Sequence, residues 1–167
     1  AILLTTEPNV RYFSGFMTQF WQSPTRPWFL IVPKEGELIA VIPEIGRAGM
    51  ESTWVNDIRT WVSPCPEDDG ITLLAQALSE VTICFGRIGM TLGQESHLRM
   101  PVNNFKQIAE IISPTEIVDV AHHLRSLKRI KSEAEILKIE HICQITSGAF
   151  ENLPGKIRTG ETQRQIC

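Results

Sequence analysis

The sequence predicts an α/β fold in three layers, with helices on both faces of a mixed β-sheet. Short apolar segments of strand length recur through residues 1–120, and stretches with helical periodicity lie between several of them. Clusters of turn-forming residues, chiefly Pro, Gly and Asp, separate these segments. The chain has 167 residues, of which 43% are hydrophobic and 21% charged, as in an ordinary globular protein. This length accommodates one domain with a buried core, or one domain and part of a second.

The first part of the chain contains three predicted strands. Residues 2–6 form an apolar segment that predicts the first strand, and Glu7–Asn9 predict a turn after it. Residues 10–13 predict a single helical turn or a bend. Two further apolar segments, residues 28–32 and 38–42, are separated by five residues that include Pro and Gly. This spacing is typical of two strands joined as a β-hairpin.

Helices and strands alternate in the middle of the chain. Residues 44–53 predict a short helix, and residues 57–61 alternate polar and apolar side chains as a half-buried strand does. Asp68 or Asp69 can cap the N-terminus of the next helix. The remaining predicted elements are a strand kinked at Gly86 (residues 81–85 and 88–92), a helix after Pro101 that buries Phe105, Ile108, Ala109 and Ile112, and a strand at residues 116–120.

The end of the chain differs in character from the first domain. Residues 122–131 are strongly basic, and Ser132 with Glu135 forms a capping-box pattern that begins a long helix. A further helix is predicted to begin at Thr159–Glu161. We therefore expect residues 1–125 to form one domain, and residues 126–167 to be the connector and first helices of a truncated second domain. The apolar face of the long helix is predicted to carry Ile136, Ile139, Cys143, Thr146 and Phe150.

The charge and the apolar segments disfavour two classes of partner. The formal net charge of −3 and the shortness of the basic run Arg125–Lys131 favour a solvated helix face over a nucleic-acid site. The longest apolar runs, such as Trp28–Val32, are far too short to span a bilayer. Residues 1–4 have no basic character, so we expect no signal peptide before the first strand. The four cysteines show no CxxC spacing, which predicts reduced thiols in the cytoplasm. Cys84 and Cys143 lie in apolar stretches and are predicted to be buried.

The polar residues do not assemble a recognisable catalytic or metal site. His122 and His123 are adjacent, so on a helix their side chains diverge by about 100° and do not readily bind one ion. Asp68 and Asp69 precede a helix, which favours capping over catalysis. The sequence contains no Gly-x-Ser-x-Gly nucleophile motif. We therefore predict that this chain has no catalytic residue and no metal ligand.

A loop between the first two strands is the strongest candidate for binding. It contains Phe20, Trp21, Arg26 and Trp28, with prolines beside them. Large aromatic side chains around one guanidinium suit a small apolar substrate or one with a carboxylate. The alternative is that Trp21 and Trp28 belong to the core or to a dimer interface, and that Arg26 is a surface charge.

Two segments resemble a known family. Residues 9–16, Asn-Val-Arg-Tyr-Phe-Ser-Gly-Phe, resemble the Asn-x-x-Tyr-Leu/Phe-Ser/Thr-Gly-Phe/Tyr signature of the creatinase/prolidase N-terminal domain. Residues 119–136 are similar to the segment through which that domain enters the pita-bread metallopeptidase domain. The resemblance implies a ribonuclease-H-like motif in a mixed sheet of five or six strands. It also implies a centre of two divalent ions (Mn, Co, Zn or Fe), bound by two Asp, one His and two Glu of a C-terminal domain beyond residue 167.

The resemblance also implies a role. It predicts a non-catalytic domain of a dinuclear-metal hydrolase that acts on Xaa-Pro dipeptides or N-terminal Xaa-Pro bonds. In creatinase-like homodimers this domain reaches over the active site of the other subunit, and Arg26 resembles by position the arginine that contacts substrate there. Phe20, Trp21 and Trp28 would line the same cap. The alternatives are a creatinase-like or dimethylsulfoniopropionate-lyase-like relative, or a catalytically inactive relative that binds peptides or proteins.

Overall fold

A computed structural model describes residues 1–23, 26–83 and 86–166 of the chain. The chain divides into two compact units, Ala1–Leu124 and Arg125–Cys167. The strands are β1 (Ile2–Leu4), β2 (Phe29–Val32), β3 (Ile39–Pro43), β4 (Asp57–Trp61), β5 (Arg87–Met90) and β6 (Glu116–Asp119). The α-helices are α1 (Glu7–Ser14), α2 (Arg47–Glu51), α3 (Ile71–Thr82), α4 (Val102–Ile111), α5 (Ala121–Arg129), α6 (Glu133–Asn152) and α7 (Gln163–Ile166), with 3₁₀ turns at Gln19–Gln22 and Glu44–Gly46.

The strands form one mixed sheet in the order β4-β3-β2-β1-β5-β6. β2 is antiparallel to both β1 and β3, and the register that pairs Phe29 with Val41 confirms the predicted hairpin. The remaining pairs, β3 with β4, β1 with β5 and β5 with β6, are parallel. Parallel neighbours require crossover connections, and helices supply them.

Helices cover both faces of the sheet, which confirms the predicted fold class. Alternate strand residues point to opposite faces. Phe29 and Ile31 pack with residues of α3 and α4, whereas Trp28 and Leu30 pack with residues of α1 and α2. Each face of the sheet has a buried core, since these four side chains have no measurable exposure.

The first helix is longer than the sequence predicted. α1 begins at Glu7 and contains Pro8 in its first turn, where proline's fixed backbone angle suits a helix and its missing N–H costs no hydrogen bond. The turn predicted at Glu7–Asn9 is therefore wrong. Gly15 ends α1 in the left-handed conformation, with φ of 75°, and its N–H donates to the carbonyl of Arg11 at 2.8 Å.

α3 begins as predicted but ends later. The Asp68 carboxylate accepts hydrogen bonds from the amides of Ile71 and Thr72, at 2.7 and 3.1 Å, which confirms its capping role. Asp69 instead accepts the indole N–H of Trp61 at 3.1 Å. The strand predicted at residues 81–85 is wrong at its start, because the buried Thr82 continues the apolar face of α3. The rest of that prediction, on Cys84 and Phe85, lies outside the described residues.

The second unit contains α6, α7 and most of α5. The predicted capping box is present: the Ser132 hydroxyl accepts from the amide of Glu135 at 3.4 Å, and the Glu135 carboxylate accepts from the amide of Ser132 at 2.8 Å. No residue of α6 is buried. The predicted burial of Cys143 is therefore wrong, because its helix packs no face inside this unit. Within the described ranges, no helix combines the length and apolar composition that a membrane crossing requires.

Candidate functional site

The candidate site is the aromatic loop, defined here as residues 16–23 and 26–28 between α1 and β2. The Thr18 hydroxyl accepts the amide of Phe20 at 3.2 Å and so begins the 3₁₀ turn Gln19–Gln22. The amide of Ser23 donates to the carbonyl of Phe20 at 3.0 Å and closes that turn. The predicted proline-rich loop also includes Pro24 and Thr25, which lie outside the described residues.

Trp28 is the centre of the aromatic packing. Its ring is 0% exposed and lies 5.4 Å from Phe16, 5.8 Å from Trp21 and 6.5 Å from Phe20, measured between ring centroids. A Cβ atom at Gly46 would overlap the Trp28 ring, so glycine is needed for this close approach. Trp21 is 7% exposed. Both tryptophans thus lie in the core on one face of the sheet, as in the alternative interpretation of the sequence.

Phe20 and Arg26 are both partly exposed, unlike the two tryptophans. The guanidinium carbon of Arg26 lies 5.9 Å from the centroid of the Phe20 ring, a cation–π arrangement. This contact holds a positive charge over an aromatic face at the surface of the first unit. Arg26 also lines a cavity of about 270 Å³ whose other lining residues are Ser63, Pro64, Cys65, Pro66 and Asp69.

Arg99 is a residue of this site that sequence reasoning missed. Its guanidinium donates to the backbone carbonyls of Trp21 at 3.2 Å and Phe20 at 3.5 Å. It also donates to the carbonyls of Ser23 and Arg26. The guanidinium carbon lies 5.0 Å from the centroid of the Trp21 ring. These partners lie 73 to 79 residues away along the chain, so no local pattern in the sequence indicated the contact.

Two features of the environment of Arg99 shift the pKa of its guanidinium in opposite directions. Partial burial lowers the pKa of the Arg99 guanidinium, and the nearby Glu7 carboxylate acts in the opposite direction. An arginine stays protonated at neutral pH because its ordinary pKa lies far above neutrality. The carbonyl dipoles of the aromatic loop replace part of the water that this charge has lost.

The segment that carries Arg99 is attached to the sheet at two places. The amide of Arg99 donates to the hydroxyl of the buried Thr5 at 3.3 Å, just beyond β1. At the end of β6, one carboxylate oxygen of Asp119 accepts the amides of Leu92 and Gly93 at 3.0 and 3.1 Å. A Cβ atom at Gly93 would overlap the Asp119 carboxylate, so this close approach also requires glycine.

The resemblance places the ligands of the metal pair in a second domain, beyond residue 167. Among the residues that the structure describes, no group of three or more His, Cys, Asp or Glu side chains is arranged to hold a metal ion. A metal site in a protein needs several such ligands converging on one point.

The family model of the Creatinase/Prolidase N-terminal domain matches residues 1–130. The chain belongs to this family. The match extends from β1 through α5 and so includes the sheet, the aromatic loop and Arg99.

Three relatives of this creatinase/prolidase N-terminal domain are longer proteins. An uncharacterized peptidase of Staphylococcus saprophyticus is 22% identical over 166 residues, which are 99% of this chain and 43% of that protein. The X-Pro aminopeptidase of Thermotoga maritima superimposes with a TM-score of 0.73 at 17% identity, over 99% of this chain and 43% of that chain. The prolidase of Pyrococcus horikoshii OT3 gives 0.66 at 20% identity, over 99% and 41%. At these identities the solved structures establish the fold, and the chain spans less than half the length of each relative.

Proposed function

We propose that this creatinase/prolidase N-terminal domain is the non-catalytic cap of an Xaa-Pro-cleaving metallopeptidase, in which Arg26 and Phe20 contact the substrate. The observation that carries the proposal is the partly exposed guanidinium of Arg26 over the Phe20 ring, beside a cavity of about 270 Å³. The similarity to prolidases and X-Pro aminopeptidases supports the choice of substrate class.

The two side chains suit the two chemical features of a short Xaa-Pro substrate. A guanidinium pairs with a free carboxylate through two parallel hydrogen bonds, and the ring of Phe20 offers an apolar surface to a pyrrolidine ring. Trp21 and Trp28 support Phe20 from the core. In this proposal the domain restricts substrate length and orientation, and the residues that bind metal and cleave the bond belong to a second, pita-bread domain in the cytoplasm.

The central test is Arg26→Ala in the protein that contains both domains. Hydrolysis of an Xaa-Pro dipeptide is compared with that of its C-terminal amide. Loss of a charge-assisted pair predicts a fall in kcat/KM of about tenfold to a hundredfold for the dipeptide and a much smaller fall for the amide. Arg11→Ala is a matched control, because Arg11 is an exposed arginine of the same unit. An unchanged kcat/KM, or equal losses on both substrates, contradicts the role of Arg26.

The proposal includes a homodimer in which each cap serves the active site of the other subunit. Subunits with Arg26→Ala are mixed with subunits inactivated in the second domain, and the dimers are allowed to exchange. In the mixed dimer an intact active site meets an intact Arg26 from its partner, so we expect activity to rise above that of either parent. Activity that stays at the level of the Arg26→Ala parent shows that Arg26 acts within its own subunit, and a monomer in sedimentation contradicts this part outright.

A further inference from the structure

Four backbone carbonyls of the aromatic loop converge on one guanidinium. The carbonyls of Phe20, Trp21, Ser23 and Arg26 all accept from Arg99. A loop outside the sheet has no neighbouring strand to satisfy its carbonyls, and a carbonyl buried without a donor is costly. Arg99 therefore supplies the donors that a neighbouring strand supplies in a sheet, both to Phe20, Trp21 and Ser23 and to Arg26.

The geometry requires arginine rather than a positive charge alone. A guanidinium offers five N–H donors in a rigid plane, whereas an ammonium offers three on a flexible stem. The planar group also lies against the Trp21 ring, with 5.0 Å between the guanidinium carbon and the ring centroid. Lysine at position 99 would keep the charge but would reach fewer of the carbonyls and lose the stacking.

Arg99 connects the loop to the rigid part of the fold. Its own amide donates to Thr5 after β1, and the amides of Leu92 and Gly93, earlier in the chain, donate to Asp119 at the end of β6. The guanidinium of Arg99 transmits this fixed position to the carbonyls of Phe20, Trp21 and Ser23 and to that of Arg26. The positions of Phe20 and Arg26 thus depend on a residue that is not part of the loop.

We propose that Arg99 is the positioning residue of the cap. Its guanidinium orders the backbone of the aromatic loop and so determines the positions of Phe20 and Arg26. Its consequence for substrate binding rests on the proposed function, whereas its ordering of the loop does not. Arg99 contacts no substrate in this scheme and acts through the backbone of the loop.

The first experiment is hydrogen exchange on Arg99→Lys. The reporters are the amides of Phe20 and Ser23, which both donate hydrogen bonds inside the loop. Loss of charge-assisted hydrogen bonds predicts exchange about tenfold or more faster at these amides, with the amides of β2 and β3 unchanged. Arg87→Lys is the control, because Arg87 is an exposed arginine on β5. Unchanged exchange at Phe20 and Ser23, or equal acceleration in the loop and in β2, overturns the proposal.

A second measurement uses the unmodified protein and is independent of how well Arg99→Lys folds. Exchange is followed in increasing, sub-denaturing urea. The Ser23 amide and the Arg99 amide, which donates to Thr5, are expected to open together, in one step that precedes the opening of β2. Opening of the loop in a separate step before Arg99 overturns the proposal.

Kinetics in the protein with both domains separate this inference from the proposed function. If both hold, Arg99→Lys raises KM for the dipeptide about as much as Arg26→Ala does and lowers kcat less. If Arg26→Ala leaves kcat/KM unchanged while Arg99→Lys still accelerates hydrogen exchange in the loop, the cap function is contradicted and the positioning role is supported. If Arg26→Ala lowers kcat/KM but Arg99→Lys changes neither KM nor exchange, the positioning role fails and the cap function stands.

Discussion

The two faces of the sheet are covered in different ways. One face is covered by α3 and α4, two helices whose buried residues are mainly aliphatic, with Leu74, Leu78 and Ile108 among them. The other is covered by α1, α2 and the aromatic loop, where Trp28 and three further rings pack together. Regular helices satisfy most of their own backbone, whereas four carbonyls of the loop accept from the distant Arg99. We call the face covered by α3 and α4 the helical face, and the other the loop face. The helical face supports the fold, whereas the loop face can present side chains at the surface.

The largest effect on stability is expected on the helical face. Leu78→Ala removes a fully buried side chain between the sheet and α3, which predicts a loss of about 3–4 kcal/mol of unfolding free energy. Chemical denaturation measures it. Leu73→Ala is the control, since Leu73 lies on the same helix but is only partly buried, and it is expected to cost less. Equal losses for the two leucines would mean that this face is not closely packed.

A somewhat smaller effect is expected on the loop face. Gly46→Ala places a methyl group where the Trp28 ring lies, which predicts a loss of about 2–3 kcal/mol. Trp28→Phe makes room for that methyl group. The double variant is therefore expected to lose less unfolding free energy than the sum of the losses of the two single variants. The indole N–H of Trp28 has no hydrogen-bond partner among the described residues. The Trp28→Phe substitution therefore removes packing contacts but no hydrogen bond. Strict additivity in the double-mutant cycle would contradict the overlap.

The smallest effect concerns the cap of α3 and depends on pH. Partial burial acts to raise the pKa of Asp68, but hydrogen bonds from Thr72 and from the amide of Ile71 hold it below the ordinary value of 3.8. A carboxylate with a lowered pKa stabilises the folded state above the unfolded-state pKa, and this contribution is lost as the pH falls through the folded-state pKa. Asp68→Ala is expected to cost about 1 kcal/mol at neutral pH and less below pH ~3.8.

Asp68→Asn is the matched variant for this prediction. Asparagine caps helices about as well as aspartate but does not titrate. We therefore expect Asp68→Asn to be close to the unmodified protein at neutral pH and to lose less stability on acidification, as measured by urea denaturation at several pH values. A loss for Asp68→Ala that is the same at pH 7 and at pH ~2.5 would show that the carboxylate's charge contributes nothing.

Much of the helical face was predictable because its signals are local. The Asp68 cap, Pro101 before α4 and the spacing of Ile108 and Ile112 all lie within a few residues of the structure they specify. The loop face was predictable in composition but not in arrangement. Phe20, Trp21, Arg26 and Trp28 were recognised as a group, yet only contacts across the fold separate the buried tryptophans from the partly exposed Phe20 and Arg26.

Most of the strands and helices, the hairpin of β2 and β3, the capping box of α6 and the family resemblance were readable from the sequence, because each depends on residues close together along the chain. Three features depend on the tertiary structure: the parallel pairing of β1 with β5, the end of α3 at Thr82, and the hydrogen bonds from Arg99 to the aromatic loop. The physical reason is range. Turn chemistry, capping and periodicity act over a few residues, whereas strand order and the burial of a side chain depend on which distant segments pack together.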